Sequence, residues 1–282
     1  MDTLVSPLGN LSDSNNISIS AATALKKESA IEFLDHLVPS RAFSPIEQTA
    51  NLSCGCAVLD SLLSPCVYPG SILELSGLAG AGKTQLAYQL LVCNVSDTTS
   101  ALYIKTEGDL SMERIQHIGS FKGSESFLDH IFIYECSSLS ELEQLMTTQL
   151  EDIVCNNNVR LLVLDSIAGL SRLSGENDRF SLFYTITSLL KKLSFKYKMH
   201  VVIINQVTET NPFNDDSKVI LPALGMSWGY LVNNRLMLFR EHSVSLQGNS
   251  LKSNKRGILF GSLGKFEFNY EIKNSGFEAM FV

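Results

Sequence analysis

From about residue 47 the chain alternates short runs of consecutive apolar residues with longer segments whose apolar positions recur every three or four residues. The short runs predict strands at Ser71–Ser76, Ala101–Thr106, Ile131–Glu135, Arg160–Asp165 and His200–Asn205. Between them the helical period predicts helices at Lys83–Asn94, Leu139–Val154 and Phe180–Lys198, the first with Leu86, Leu90 and Leu91 on one face. Strands that are apolar on both faces and separated by helices imply a mainly parallel sheet covered on both sides. The pattern then changes. Asn234–Phe239, Gly257–Phe260 and Lys265–Tyr270 read as short strands joined by tight turns, an antiparallel edge.

Upstream of this region the periodicity fades. Residues 1–20 are rich in Ser, Asn and Asp, and residues 21–38 carry Leu25, Ile31, Leu34 and Leu37 at helical spacing before the breaker stretch Pro39–Pro45. The expected organisation is a flexible tail with one short helix over 1–46 and one α/β core over 47–282.

Composition narrows the partners. At 45% hydrophobic and 18% charged the chain has an ordinary folded composition. A net charge of -7 excludes a basic surface over the whole protein, so any nucleic-acid contact must be local. No apolar run reaches the roughly 18 residues of a membrane span. The first residues lack the basic start and apolar stretch of a secretory signal, so an intracellular protein without membrane contact is expected. Cysteines at 54, 56, 66, 93, 136 and 155 do not match a zinc spacing and read as reduced thiols filling apolar space.

The chemistry concentrates after the first strand. Gly77, Leu78, Ala79, Gly80, Ala81, Gly82, Lys83 and Thr84 match G-x-x-x-x-G-K-[ST], with a strand leading in and a helix leading out. Glycines let successive amides point at one anion, and the helix N-terminus adds partial positive charge. Lys83 would reach the β- and γ-phosphates of ATP, and the Thr84 hydroxyl would ligate Mg²⁺. Asp165, closing the apolar strand, is the expected second acidic position beside that metal. Glu107 follows the second strand and is a candidate to position and deprotonate an attacking water. Asn205-Gln206 ends another strand, where an amide can sense the γ-phosphate. Each of these polar residues also has a plain reading as a solvated turn or strand-end group.

Together the motifs resemble a family. The Lys-Thr-Gln that closes Gly77–Gln85, Thr106-Glu-Gly-Asp109, Leu-Val-Leu-Asp-Ser166 and Ile-Asn-Gln-Val207 stand in the order of the RecA-like recombinases. The chain is similar to the eukaryotic recombinases and more closely to their DNA-repair paralogues. Thr106–Leu110 followed by Glu113-Arg114, and Pro222-Ala-Leu-Gly225 with Trp228, look like the branch of the fungal mediator subunit Rad-fifty-seven. The resemblance covers about residues 47–282. It implies a P-loop NTPase core of RecA type and a nucleotide site over Gly77–Gln85. Lys83, Glu107 and Gln206 would be catalytic, and Thr84 and Asp165 would be metal ligands. It also implies a nuclear location, with other recombinase-family subunits and single-stranded DNA or recombination intermediates as partners.

Two DNA-facing loops are implied, around 169–178 and 208–221. The second carries Glu209, Asp215 and Asp216 against Lys218, so phosphate attraction there should be weak. Arg172, Arg179, Lys252, Lys255 and Arg256 are the better cationic candidates, each otherwise a solvated face. The family's aromatic-x-x-Ala handle is missing before the core: Phe33 is followed by Leu-Asp-His and Phe43 by Ser-Pro-Ile. A heterodimer or small complex is therefore expected rather than long filaments, with 21–38 either docking a partner or capping the core. Met226, Trp228 and Phe281-Val282 fit interface or core equally. The implied function is a DNA-dependent ATPase that assists recombinase loading. The alternatives are an ATP-bound adaptor that does not hydrolyse, and a small-molecule kinase, which the lack of an arginine-rich lid disfavours.

Overall fold

The computed structural model describes residues 51–122, 126–168, 176–210, 219–222, 224, 228–242 and 253–281. After a short helix α1 (Ala57–Leu63), strand β1 (Ile72–Gly77) leads through the glycine-rich loop into α2 (Lys83–Cys93). Then follow β2 (Ser100–Lys105), α3 (Met112–Lys122) and β3 (Ile131–Glu135). The segment read as one helix over Leu139–Val154 is α4 (Leu139–Gln144) and α5 (Leu150–Asn156) around a single wider π turn at Leu145–Gln149. Next come β4 (Val159–Asp165), α6 (Glu176–Tyr197), β5 (His200–Thr210) and β6 (Val219–Pro222). The chain closes with β7 (Asn234–His242), β8 (Ser253–Gly261), β9 (Gly264–Lys273) and β10 (Gly276–Phe281).

The sheet order is β10-β9-β8-β7-β1-β5-β4-β2-β3, with β6 paired only to β5. Strands β7, β1, β5, β4, β2 and β3 run parallel, and β8, β9 and β10 extend β7 as an antiparallel meander. This is the expected α/β core with an antiparallel C-terminal edge.

Side chains alternate across a strand, so each central strand feeds two cores. Leu73, Leu75, Leu161, Val163, Val202 and Ile204 face the layer holding α1, α2 and α3. Ile72, Leu162, Leu164, Val201 and Ile203 face the layer of α4, α5 and α6, with Trp228. Neither face is left to water, which is why these strands carry no polar period. Trp228 is core: its ring lies edge-on to Phe183 with centroids 5.5 Å apart. Phe281, in contrast, is 65% exposed.

Among the described residues no helix is long and apolar enough to cross a membrane. The expectations for residues 1–46, for 169–175 and 211–218, and for Arg172, Lys252 and Met226 lie outside the described residues, as does the side chain of Arg179.

Candidate functional site

The two-face alternation decides which polar residues meet. Tyr103, Asp165 and Gln206 fall on the α2 face of β2, β4 and β5, at the strands' C-terminal ends. Ligand sites of open parallel sheets form at those ends. The glycine-rich loop arrives there from β1, its turns made by Gly80 (φ +75°) and Gly82 (φ +103°) in the left-handed region. A side chain on Gly82 would also meet Ile272 Cδ1 at 2.5 Å, a contact Ile272 would have to yield to, but it is the positive φ that demands glycine.

The loop, the strand ends and the turn after β2 enclose a cavity of about 500 Å³. Leu78, Ala79, Gly80, Lys83 and Thr84 line one side, Tyr103, Lys105 and Glu107 another, and Asp165, Ser166 and Gln206 the rest. The Lys83 ammonium donates to the carbonyls of Gly77 (2.7 Å) and Leu78 (3.0 Å). Burial pulls its pKa down, and the Asp165 carboxylate partly opposes this. A group so placed gains from any anion brought beside it. Thr84 Oγ1 donates to Asp165 Oδ2 at 3.0 Å, and Tyr103 donates to the same oxygen at 2.6 Å. Burial raises the Asp165 carboxyl, the two hydroxyls offsetting part of that shift. Adjacent hydroxyl and carboxylate oxygens are the hard donors Mg²⁺ prefers, so this pair fits the metal.

Across the cavity Glu107 Oε1 accepts from Gln206 Nε2 at 3.0 Å and from the Ser166 hydroxyl. Thr106 Oγ1 closes the corner on the Ser166 carbonyl at 2.5 Å. Glu107, Asp165 and Gln206, far apart in sequence, thus converge on the loop.

Asn205 does not join them. Next to Gln206 on a strand, it points to the other face, where its amide donates to buried Glu74 at 2.7 Å. Trp228 Nε1 donates to the same oxygen at 3.0 Å, and Arg235 pairs with the other. Glu74 is wholly buried, while Arg235 Nη2 and Asn205 Oδ1 have no partner among the described residues. Sequence reading missed this cluster. Its one signal was a glutamate inside an otherwise apolar strand, which needs a cation somewhere in the fold.

The Gln85 side chain has a partner of its own. It leaves the cavity and accepts from Arg114 Nε at 2.6 Å. Arg114 in turn donates to the carbonyls of Lys273 and Asn274, tying α2 and α3 to the end of β9. Of the basic candidates, Lys255 sits opposite Arg240 on β8 and β7, and Arg256 lies 3.8 Å from Glu267. Arg240 reaches the loop rim, its Nη1 lying 3.7 Å from the position of a side chain on Gly80. Sequence reading had not singled it out.

Known proteins place the chain. A family model described as Rad51 matches residues 46–223. The DNA repair protein XRCC3 homolog of Arabidopsis thaliana is 28% identical over 71% of this chain and 79% of its own length. The DNA repair and recombination protein RadB of Methanosphaera stadtmanae is 32% identical over 71% of this chain and 92% of its own. The crystal structure of the RadB recombinase superposes with a TM-score of 0.62 at 24% identity, covering 81% of this chain and 99% of that one. The sheet order, the phosphate-type loop and these matches agree, and the chain belongs to the Rad51 family.

Proposed function

We propose that this chain binds ATP with Mg²⁺ on the Gly77–Thr84 loop and hydrolyses it in response to single-stranded DNA. It acts in homologous-recombination repair, in the nucleus, as a mediator subunit that helps load or hold a recombinase on single-stranded DNA. Other recombinase-family subunits are its partners in a heterodimer or small complex. The observation that most supports this reading is the position of Glu107: its carboxylate faces Lys83, Thr84 and Asp165 across one cavity and is held there by Gln206 and Ser166.

The roles follow from the chemistry of the groups. Lys83 and the loop amides take the phosphates, and Thr84 and Asp165 take the metal. The metal supplies charge neutralisation on the transferred phosphoryl group. Glu107 orients a water and accepts its proton. Gln206 is shared between Glu107 and the γ-phosphate position, so it relays nucleotide state into the strand that runs on toward 208–221. Lys255, Arg256 and Arg240 are the described cations best placed to meet a nucleic-acid backbone.

The test compares wild type with Lys83→Ala for ATP binding in Mg²⁺, and then measures phosphate release with and without single-stranded DNA. Losing a charge-assisted phosphate contact costs ~1.4 kcal/mol or more, so affinity should fall about tenfold or further. Equal binding by both proteins would remove the loop from the reading. Tight binding without DNA-stimulated release would leave an ATP-bound adaptor instead.

A further inference from the structure

Three sulfurs and an amine crowd one glycine ahead of α1. Gly55 has φ +70°, and the reversal it makes brings Cys54 Sγ to 3.9 Å from the Cys56 carbonyl oxygen. A side chain on Gly55 would lie 2.4 Å from Lys122 Nζ and 3.2 Å from Cys93 Sγ. Lys122 donates to the Gly55 carbonyl at 3.3 Å. Cys54 is buried, whereas Cys56 is partly exposed and opens into a second cavity of about 370 Å³. Gln89, Phe121, Lys122 and Glu278 share that cavity.

Cys56 also holds the sheet edge. The Ala279 amide donates to its sulfur at 3.2 Å, and that sulfur lies 3.6 Å from the Ala279 carbonyl oxygen. Two residues earlier on β10, Gln89 does the same for Phe277, accepting from its amide at 2.5 Å and donating to its carbonyl at 3.0 Å. An edge strand exposes unpaired backbone groups, and here side chains cover them. Gln89 donates as well to the Cys54 carbonyl at 2.6 Å. The thiol pair, the edge of β10 and the helix that begins at Lys83 are thus bonded to one another. Donation from the Cys54 thiol lowers the Cys56 pKa to about 5, against the effect of burial. A low-pKa thiol opening into a cavity that an ammonium also lines is a setting in which cysteines react.

We propose that Cys54 and Cys56 form a thiol–disulfide exchange site, with the cavity beside Lys122 admitting a small carboxylate-bearing disulfide of the glutathione type. The Cys56 thiolate attacks one sulfur of the small disulfide, its S–S bond breaks, and one small thiolate leaves and takes a proton. Cys54 then passes its proton to the neighbouring Asp60 carboxylate as it attacks Cys56 Sγ in the mixed disulfide, releasing the second small thiol. The cysteine pair loses two electrons and the small disulfide gains them. Once oxidised, Cys56 no longer offers a thiolate to accept from the Ala279 amide, so the cap on β10 is weakened.

The experiment treats the full chain with oxidised glutathione at pH 6, quenches by alkylation and maps the products by peptide mass. An ordinary thiol with pKa about 8.5 is ~0.3% ionised there, whereas Cys56, held well below that range, carries a far larger thiolate share, which outweighs the lower nucleophilicity of a low-pKa thiolate. A Cys54–Cys56 disulfide should therefore form before the exposed Cys155 reacts. Cys54→Ser should stop at one glutathionyl group on Cys56, and Cys56→Ser should leave Cys54 unmodified, both variants being checked for native circular dichroism. Reaction at Cys155 first, a Cys56–Cys93 product, or no adduct on folded Cys54→Ser would each overturn the proposal. None of these readouts depends on ATP or DNA, so the result stands apart from the proposed function.

Discussion

Replacing Glu74 with glutamine removes the charge of a wholly buried side chain. Glu74 accepts from Asn205 and Trp228 on one oxygen and pairs with Arg235 on the other. A glutamine oxygen in the first position keeps the two neutral donors but turns an amide toward the guanidinium. The reverse orientation keeps Arg235 and strands Asn205 and Trp228. Breaking a buried pair by removing one partner costs ~3–5 kcal/mol. At ~2–4 °C per kcal/mol for a domain of this size, Tm should fall by about 10 °C. Differential scanning calorimetry of Glu74→Gln beside wild type reads this directly. Adding Arg235→Leu to Glu74→Gln should recover more than half of the loss, because the unpaired cation is then gone while both neutral donors keep an acceptor. The Arg235 side chain is 22% exposed, which gives it one escape. A fall of less than ~2 °C would mean the guanidinium satisfies itself with solvent, and the cluster would not hold the strands together as argued.

Asp165→Asn preserves an oxygen for Thr84 and Tyr103 and removes a charge that burial opposes. Because the folded carboxyl is raised, its contribution to stability is full below the unfolded pKa and fades as pH rises through the folded one. The nucleotide-free variant should therefore be at least as stable as wild type at pH 7.5, with a shallower decline of Tm from pH 4 upward, yet gain no Tm from Mg²⁺ and ATP. A variant that Mg²⁺ and ATP still stabilise like wild type would exclude Asp165 as a metal ligand. Glu107→Gln should retain ATP affinity within about threefold, since the group makes no phosphate contact in the proposed scheme, while phosphate release falls ~10²-fold or more. Equal turnover in a stopped assay would assign the base elsewhere.

Much of this was legible in the sequence because the signals were local. The loop motif, its strand and its helix are contiguous, and Asp165 closes a strand whose apolar run is unmistakable. Glu107 and Gln206 could be placed because parallel topology puts strand C-termini on one side. What stayed hidden depends on pairing at long range. β10 carries Phe277 and Ala279 inward, but nothing in Gly276–Phe281 tells a strand from a tail until β9 lies beside it. Helices α1 and α3 went unread, and the π turn at Leu145–Gln149 keeps the leucine spacing while changing the backbone. The strand ending was set at Asn205 because its polar residues resemble a loop, whereas β5 runs on to Thr210 once β6 offers it a partner. Gln85 was assigned to the nucleotide by adjacency, and only the fold brings Arg114 to it.

That extension of β5 has a mechanical consequence. The strand is flanked by β4 as far as Ile204 and by β1 as far as Gln206, and beyond that point, among the described residues, it pairs with β6. Asn205, pinned to a buried carboxylate, is the fulcrum. Val207–Thr210 is a lever arm of about 13 Å at ~3.3 Å per residue. A rotation at Gln206 would be carried along Val207–Thr210, with a displacement that grows with distance from Asn205.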